Sequence, residues 1–305
     1  MMIPLEGVWA ASITPLTADL TPDAARLHTH IDWLLSKGCH GVVLFGTTGE
    51  GPSFSVQERL GVLDALAHQG TPMDKLIVGT GAAALPDAVE LTRHAARHGV
   101  AGSLLLPPFY FKSVNDDGLF AAMARIFEGL GGDAIRTILY HFPRMAGVGF
   151  SPALVERLRT AFPQYVAGIK DSSGDADNLT SLCKQVEGLA VFAGSEALLP
   201  YALNEGGVGC ISATANVTSH LVRTFYDGDN GSGDRVIRTR KALESLPFVA
   251  TMKHLMGQHL EDPAWRRVRP PMAELSTRQQ GQLEQILGSV GTLPNFESKA
   301  SRLAG

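Results

Sequence analysis

The sequence predicts an α/β protein that folds as a (β/α)8 TIM barrel with a C-terminal helical appendage. Short apolar runs bounded by glycine alternate with longer helical patterns, which is typical of parallel strands joined by helical crossovers. The chain has 305 residues, of which 45% are hydrophobic, and this is enough for the core of one large barrel. No Gly-x-Gly-x-x-Gly turn follows the first run, which disfavours a doubly wound dinucleotide-binding sheet.

The eight apolar runs are the predicted strands, and each leads into a segment of helical pattern. They span residues 8–12, 41–45, 76–79, 102–106, 136–140, 166–170, 190–194 and 209–212. Helix starts are indicated by Thr21-Pro22-Asp23, by the capping box Ser55-Val56-Gln57-Glu58 and by Ser151-Pro152. Because each of eight strands is followed by a helix, the count suits a closed barrel.

A turn-rich segment at residues 227–233 is predicted to end the barrel, since it offers little to bury. We assign residues 1–227 to the barrel and residues 228–305 to a C-terminal helical region. Helical patterns follow at residues 236–246, 248–260 and 276–287. This region is short for an independent domain, so we expect it to pack on the barrel.

Composition and charge exclude several classes of protein. The formal net charge is -4 and basic residues are scattered, so nucleic acid is not an expected partner. No apolar run approaches the length of a membrane span and no basic residue precedes Arg26, so we expect neither a membrane protein nor a signal peptide. Cys39, Cys183 and Cys210 lack metal-type spacing and are expected to be reduced. A cytoplasmic protein is predicted.

The most informative residue is Lys170, which ends the sixth apolar run. An amine that leaves a buried strand is poorly solvated as an ammonium, and this favours its neutral, nucleophilic form. Tyr140 ends the fifth run in the same way. If the two strands are neighbours in one parallel sheet, their ends lie roughly 5 Å apart. The pair predicts an imine with a carbonyl substrate, for which the tyrosine moves protons.

Most lysines at strand ends are simply solvated and have no catalytic role. The chain has eight lysines, and only Lys170 ends an apolar strand. The others lie in loops or helical stretches, namely Lys37, Lys75, Lys112, Lys184, Lys241, Lys253 and Lys299. This contrast favours the catalytic interpretation of Lys170.

Active sites of such barrels form at the C-terminal ends of the strands, so the residues that follow each run are candidates. The second run leads into Gly46-Thr47-Thr48-Gly49-Glu50-Gly51, whose N–H groups and hydroxyls are suited to hold a carboxylate. An ordinary tight turn has the same composition, but the position of this segment on the active face favours a role in substrate binding. The fourth run leads into Pro107-Pro108-Phe109-Tyr110-Phe111, which is typical of core or interface packing. Tyr110 remains a candidate because a buried hydroxyl needs a partner.

The histidines indicate no metal site. His28-Thr29-His30 has the His-x-His form of metal-dependent hydrolases, but it lies inside the first helix, where the two rings point to different faces. Imine chemistry requires neither a metal nor an organic cofactor. His141 directly follows Tyr140, so it either lines the pocket or is a hydrogen-bonded structural residue.

Together these motifs resemble the dihydrodipicolinate synthase and N-acetylneuraminate lyase superfamily of class I, lysine-dependent 2-oxo acid aldolases. The resemblance extends over nearly the whole chain, and the motifs are highly specific as a set. They are Gly7, Thr14-Pro15, Gly46-Thr47-Thr48-Gly49-Glu50, Pro108-Phe109-Tyr110, Leu139-Tyr140 with Pro143, Gly168-Ile169-Lys170-Asp171, Gly194, Ile211-Ser212-Ala213-Thr214-Ala215-Asn216 and Arg269-Pro270-Pro271-Met272.

The resemblance implies four catalytic residues. Lys170 forms the Schiff base with pyruvate or a related 2-oxo acid, and Tyr140 is the general acid and base. Thr47 connects Tyr140 to Tyr110 in a proton relay, and Tyr110 reaches in from a neighbouring subunit. The family is typically a homotetramer made of two tight dimers, so we expect a dimer of dimers.

The resemblance also implies residues that bind the substrate. Thr48 and nearby N–H groups, with Gly46, bind the carboxylate of the 2-oxo acid, while Gly194 and Ile211 shape the pocket. Family members that make dihydrodipicolinate usually carry Tyr-Asn-x-Pro-x-Arg after the fifth strand, and that arginine grips the carboxylate of the aldehyde.

This chain departs from that pattern, since it has Tyr140-His141-Phe142-Pro143-Arg144-Met145. His141 replaces the asparagine, and Arg144 stands one residue early, where a guanidinium is aimed differently. Both are kept as candidate substrate-binding residues.

The favoured function is an aldolase that forms or consumes pyruvate with an unspecified aldehyde, a class that includes sugar-acid aldolases. One alternative is dihydrodipicolinate synthase, which condenses pyruvate with aspartate semialdehyde, with Arg144 in the role of the displaced arginine. Another is a dehydratase of 2-oxo-3-deoxy sugar acids. The last is a non-enzymatic carboxylate-binding protein, which the intact set of Lys170, Tyr140, Thr47 and Tyr110 disfavours.

Overall fold

A closed barrel of eight parallel strands forms the centre of the molecule and confirms the predicted fold class. The computed structural model describes residues 4–291 and 293–296. The strands follow the chain order around the barrel, and the last pairs with the first. They are β1 Gly7–Ala11, β2 Gly41–Leu44, β3 Leu76–Gly79, β4 Gly102–Leu105, β5 Thr137–His141, β6 Val166–Asp171, β7 Ala190–Ala193 and β8 Gly209–Ser212. Each lies within one residue of its predicted bounds.

Helices connect the strands and cover the outside of the barrel. They are α1 Ala24–Ser36, α2 Val56–His68, α3 Leu85–Arg97, α4 Asp116–Gly129, α5 Pro143–Ala146, α6 Pro152–Ala161, α7 Ala176–Gln185, α8 Leu199–Asn204, α9 Ala215–Tyr226, α10 Gly233–Leu243, α11 Phe248–His259 and α12 Thr277–Val290. The predicted capping box is present at α2, where Ser55 and Glu58 each accept a hydrogen bond from the other's backbone N–H. Within the described ranges, no helix is both long and apolar enough to cross a membrane.

Alternation along the strands divides the core into two layers. In β5, Ile138 and Tyr140 belong to the cluster inside the barrel, whereas Leu139 packs with the residues between barrel and helices. Trp9 and Phe192 are among the large side chains of the inner cluster. The barrel interior is therefore a packed core, and open space for a ligand is left at its rim.

The last three helices pack around a hydrophobic cluster of their own, to which α10, α11 and α12 contribute Leu243, Met252 and Leu283. The cluster also contains Ile13, just after β1, and Val217 of α9, so it connects the C-terminal region to the barrel. The predicted division between residues 227 and 228 stays a prediction. Residues 292 and 297–305 of that region, including Lys299, lie outside the described residues.

His30 joins α1 to the C-terminal region. Its buried ring stacks on Trp33 and meets the edge of Trp265, at centroid distances of 5.6 and 5.3 Å. Nε2 donates to Asn216 Oδ1 over 3.0 Å, while Nδ1 has no hydrogen-bond partner in the described structure. A second proton on this ring would be buried without an acceptor. Burial therefore lowers the pKa of His30 to about 4.

We predict that His30 makes the protein less stable as the pH falls from 6.5 to 4. In this window the unfolded chain binds a proton that folded His30 excludes because its pKa is about 4, so acid favours unfolding. The loss amounts to about 3 kcal/mol and is complete below pH 4. His30→Gln retains an N–H donor for Asn216 and should flatten this dependence. Urea unfolding of both proteins across the window measures the difference, and equal slopes would contradict the assignment.

Candidate active site

Tyr140 and Lys170 lie opposite each other in the register of β5 and β6, near the C-terminal rim of the barrel. Their side chains are buried, with exposed fractions of 3% and 5%. Lys170 Nζ donates a hydrogen bond to Tyr140 Oη over 3.4 Å and lies 4.4 Å from the centre of the phenol ring. The structure thus brings the amine and the phenol within reach of one bound molecule.

Thr47 joins this pair from the turn after β2. Its Oγ1 lies 3.3 Å from Tyr140 Oη, so the phenol oxygen contacts both the amine of Lys170 and a hydroxyl. A phenol both donates and accepts hydrogen bonds, so it can pass a proton between these two groups. The cleft beside Tyr140 is lined by Gly46 and by the apolar side chain of Leu104, among others.

The turn after β2 has a strained backbone. Phe45 and Glu50, at its two ends, have φ values of 53° and 58°, in the left-handed region that residues other than glycine rarely adopt. Such a conformation costs about 1–3 kcal/mol at each residue and persists only where surrounding contacts hold it. Thr14 Oγ1 donates to the Gly49 carbonyl over 2.8 Å. Among the described residues, the N–H groups of Thr48 and Gly49 have no hydrogen-bond acceptor.

The side chain of Glu50 forms a buried ion pair with Lys253 of α11, and neither side chain has any solvent exposure. Lys253 Nζ also donates to the Arg267 carbonyl over 2.7 Å, and the second carboxylate oxygen of Glu50 accepts from the N–H of Arg269 over 2.8 Å. Burial lowers the pKa of Lys253, and the charge of Glu50 opposes that shift. The C-terminal region therefore fixes one end of the strained turn. The sequence places Lys253 in a helix but gives no sign of its burial or of its partner Glu50.

A second buried carboxylate, that of Glu196, lies just after β7 and has no signature in the local sequence. Its oxygens accept hydrogen bonds from the hydroxyls of Ser212 and Thr214, at the end of β8 and just beyond it. Arg240 of α10 approaches the carboxylate to 3.7 Å. A cation from a C-terminal helix again neutralises an acid on the active face, and the loops after β7 and β8 are held together.

The surroundings of Gly194 and Ile211 explain their residue types. The Gly194 N–H donates to the Asp171 carbonyl over 2.7 Å, and a Cβ at this position would lie 2.1 Å from Ser172 Oγ. Only glycine permits this close approach between the ends of β6 and β7. Ile211 is fully buried in the inner cluster that also contains Tyr140. Their roles in shaping the pocket stay predictions.

His141 and Arg144 differ in their surroundings. His141 Nδ1 accepts a hydrogen bond from the Phe150 N–H over 2.9 Å, which supports its structural interpretation. Burial lowers the pKa of His141, and the charge of Asp171 opposes the shift. Arg144, on the short helix α5, is exposed and pairs with no group among the described residues. The substrate-binding roles of both residues stay predictions.

Tyr110 lies apart from the cluster that Lys170, Tyr140 and Thr47 form. Its side chain is 74% exposed in the loop between β4 and α4, where its ring meets that of Phe111 at a centroid distance of 5.2 Å. Lys112 of the same loop donates to two carbonyl groups, one in its own loop and one in α5. Exposed aromatic side chains of this kind are typical of a surface that a partner covers.

These features define the class of protein. Polar groups converge at the C-terminal ends of the strands of a (β/α)8 barrel, around a buried lysine, as in a barrel enzyme. The sequence matches the model of the dihydrodipicolinate synthetase family over residues 4–290, and the chain belongs to that family. The family assignment made from the motifs is thereby confirmed.

Individual relatives agree with this assignment. An uncharacterised DapA-like lyase from Chloroflexus aurantiacus is 37% identical over 230 residues, which cover 75% of this chain and 76% of that protein. The crystal structure of dihydrodipicolinate synthase from Agrobacterium tumefaciens gives a TM-score of 0.89 at 34% identity, over 93% of this chain and 99% of that one. YagE, a prophage protein of the same family from E. coli K12, has a crystal structure in complex with pyruvate. It gives a TM-score of 0.84 at 25% identity, over 94% of this chain and 99% of that one. The chain is a lyase of this family, whose members process small molecules.

We predict that Lys253→Met destabilises the protein more than the double variant Lys253→Met/Glu50→Gln. The single change leaves a buried carboxylate without its cation, which typically costs about 3–5 kcal/mol. The double change leaves a neutral amide that still accepts from the Arg269 N–H. Urea unfolding measures both, with Lys241→Met, at an exposed lysine of α10, as the matched control. Equal stabilities of the single and double variants would show that the ion pair does not contribute to the free energy of unfolding.

Proposed function

We propose that this lyase forms a Schiff base between Lys170 and pyruvate or a related 2-oxo acid, and makes or breaks a carbon–carbon bond through it. The observation that carries the proposal is the 3.4 Å contact between Lys170 Nζ and Tyr140 Oη at the buried rim of the barrel. The amine adds to the ketone, and loss of water gives a protonated imine. This imine withdraws electrons from the adjacent carbon, so loss of a proton or of an aldehyde fragment there gives an enamine.

Tyr140 is the general acid and base in this proposal. Its oxygen contacts the nitrogen that attacks the ketone, so it is placed to protonate the departing hydroxyl and to move the proton at the reacting carbon. Such catalysis contributes about 100-fold to 10,000-fold in rate. Thr47, 3.3 Å away, carries the proton on toward Tyr110 of a neighbouring subunit.

The turn after β2 is the proposed carboxylate site. The N–H groups of Thr48 and Gly49 have no acceptor within the described structure, and the hydroxyl of Thr48 adds a donor. Donors fixed in advance by a strained backbone bind an anion without having to reorganise. Gly46 lies in the wall of the cleft beside Tyr140, where the ketone would enter.

We propose a homotetramer built from two tight dimers. Tyr110, Phe111, Val114 and Met145 are the large hydrophobic side chains that stand exposed on the loop after β4 and on α5, with exposed fractions of 74%, 74%, 41% and 63%. Exposed apolar surface of this kind does not stabilise a monomer and is typical of a protein–protein interface. Covering it with a second subunit would carry Tyr110 toward the partner's Thr47.

The second substrate separates two candidate functions. An exposed Arg144 without an intramolecular partner in the described part of the chain is free to hold an anionic aldehyde. This favours a 4-hydroxy-tetrahydrodipicolinate synthase that condenses pyruvate with aspartate semialdehyde, as an alternative to an aldolase of sugar acids. The replacement of the family's asparagine by His141, which is engaged with Phe150, favours the sugar-acid aldolase.

We predict that Lys170→Ala and Lys170→Arg both abolish the adduct that borohydride traps with pyruvate. Alanine has no amine, and the guanidinium of arginine is a poor nucleophile because it stays protonated. Mass spectrometry of the trapped protein and its peptides measures the adduct. Lys241→Ala, at an exposed lysine, is the control and should be labelled like the wild type. Label that persists at another lysine would refute the assignment.

We predict that Tyr140→Phe folds normally but lowers turnover by at least about 100-fold, since it removes only the proton-transfer group. The Lys170 adduct should still form, though more slowly. Turnover is measured against Tyr201→Phe, which removes a phenol that is bonded to Thr180 on the outside of the barrel. Unchanged turnover in Tyr140→Phe would remove the proton-relay role.

A substrate panel separates the remaining candidates. The protein is incubated with pyruvate plus aspartate semialdehyde and, separately, with several 2-oxo-3-deoxy sugar acids, and the products are identified by mass spectrometry. A seven-carbon cyclic product identifies the synthase, and pyruvate released together with an aldehyde identifies the aldolase. A product that has lost water but kept its carbon skeleton identifies the dehydratase. A protein that traps no pyruvate in borohydride would be a carboxylate-binding protein.

A further inference from the structure

Three side chains able to ligate a metal converge on the outer surface of the barrel. His94 lies in the last turn of α3, and His98, four residues further on, caps the C-terminus of that helix with helical backbone angles, so their rings project from one face. Asp64 comes from the neighbouring helix α2. Its Oδ1 lies 3.0 Å from His94 Nε2 and 2.8 Å from His98 Nε2, and the three ligand atoms all lie within 4.8 Å of one another.

The hydrogen bonding of this cluster is incomplete. His98 Nε2 forms a hydrogen bond with Asp64 Oδ1. His94 Nε2 is sealed from solvent and, although it lies 3.0 Å from the same oxygen, it makes no hydrogen bond in the described structure. Buried polar nitrogens almost always have a partner. An imidazole nitrogen without one, beside a second imidazole and a carboxylate, is a candidate metal ligand.

The ligand types and spacing select the kind of ion. Bonds of about 2.0–2.2 Å to histidine nitrogen and carboxylate oxygen place adjacent ligand atoms roughly 3.0–3.4 Å apart, so small side-chain movements suffice here. Imidazole ligands suit zinc, cobalt, nickel and copper, whereas magnesium and calcium prefer oxygen. Two histidines four residues apart on a helix are a zinc-binding spacing.

The charges nearby do not oppose a cation. Arg93 and Arg97 lie on the same helix, but their guanidinium groups approach Asp133, at 3.0 and 3.9 Å. The cluster also lies in the C-terminal halves of α2 and α3. Helices of a barrel run back from the active face, so this end belongs to the opposite face of the molecule, where residues serve stability.

We propose that Asp64, His94 and His98 bind a divalent transition-metal ion, with Zn²⁺ the best fit, and that the ion ties α2 to α3. The histidine side chains are each 22% exposed and that of Asp64 is 49% exposed, so solvent reaches the edge of the cluster, and water completes the coordination of the ion. Because the three ligands meet only in the folded chain, the ion stabilises the folded state. The site takes no part in the proposed imine chemistry.

The test is a titration of chelator-treated protein with Zn²⁺, followed by isothermal calorimetry and by thermal unfolding. Wild type should bind one ion per chain at this site, with an unfolding midpoint that rises with Zn²⁺ concentration. Removing a residue that only hydrogen-bonds to a metal ligand typically weakens metal binding by roughly 10–100-fold. His94→Gln/His98→Gln removes two of the ligands themselves, so it should weaken Zn²⁺ binding by at least about 100-fold. The thermal shift should then disappear.

Two further variants separate metal binding from a structural effect. Asp64→Asn keeps an oxygen that accepts from His98 but loses the charge, so it should bind Zn²⁺ more weakly than wild type. Its thermal unfolding midpoint without metal should stay near that of wild type. His68→Gln removes an exposed imidazole at the end of α2 and should bind as wild type does. Zn²⁺ bound as tightly by the double histidine variant as by wild type would overturn the proposal, and so would wild type that binds no ion. The cluster would then be only a hydrogen-bonded link between helices.

Discussion

The parallel pairing of β5 with β6, in a register that sets Tyr140 opposite Lys170, is the constraint on which the candidate site depends. Because side chains alternate between the two faces of a strand, a slip of one residue in either strand would turn one of the two groups out of the barrel. In the closed barrel every strand is paired on both sides, so such a slip would have to break two ladders at once. The amine and the phenol are thus positioned by rigid backbone instead of by a loop.

The C-terminal helices complete the rim of the barrel, although they supply no group to the proposed chemistry. Glu50 and Glu196 are buried acids in the loops after β2 and β7, and each meets a cation from a C-terminal helix, Lys253 and Arg240 respectively. A carboxylate in such a place is tolerated only when it is paired. The strained turn that carries the free N–H donors is therefore fixed by residues from the far end of the chain.

Local patterns in the sequence were sufficient to predict the strands and helices, because apolar periodicity, glycine and helix caps act over a few residues. The approach of Lys170 to Tyr140 followed from them, because successive strands of a barrel are neighbours. The burial of Lys253 did not follow, since its partner lies far along the chain and only tertiary packing brings the two together. For the same reason the spacing of His94 and His98 gave no sign of the acid beside them. Tyr110 is exposed in a single chain, so its predicted role depends on a second one.

The buried pair between Glu50 and Lys253 also restricts how this chain can evolve. The two residues are encoded far apart, so recombination between related genes readily exchanges one without the other. A hybrid that inherits only one member carries an isolated charge in its interior and fails to accumulate as folded protein. Substitutions at the two positions are therefore expected to covary, and the barrel and its appendage to be inherited as one unit.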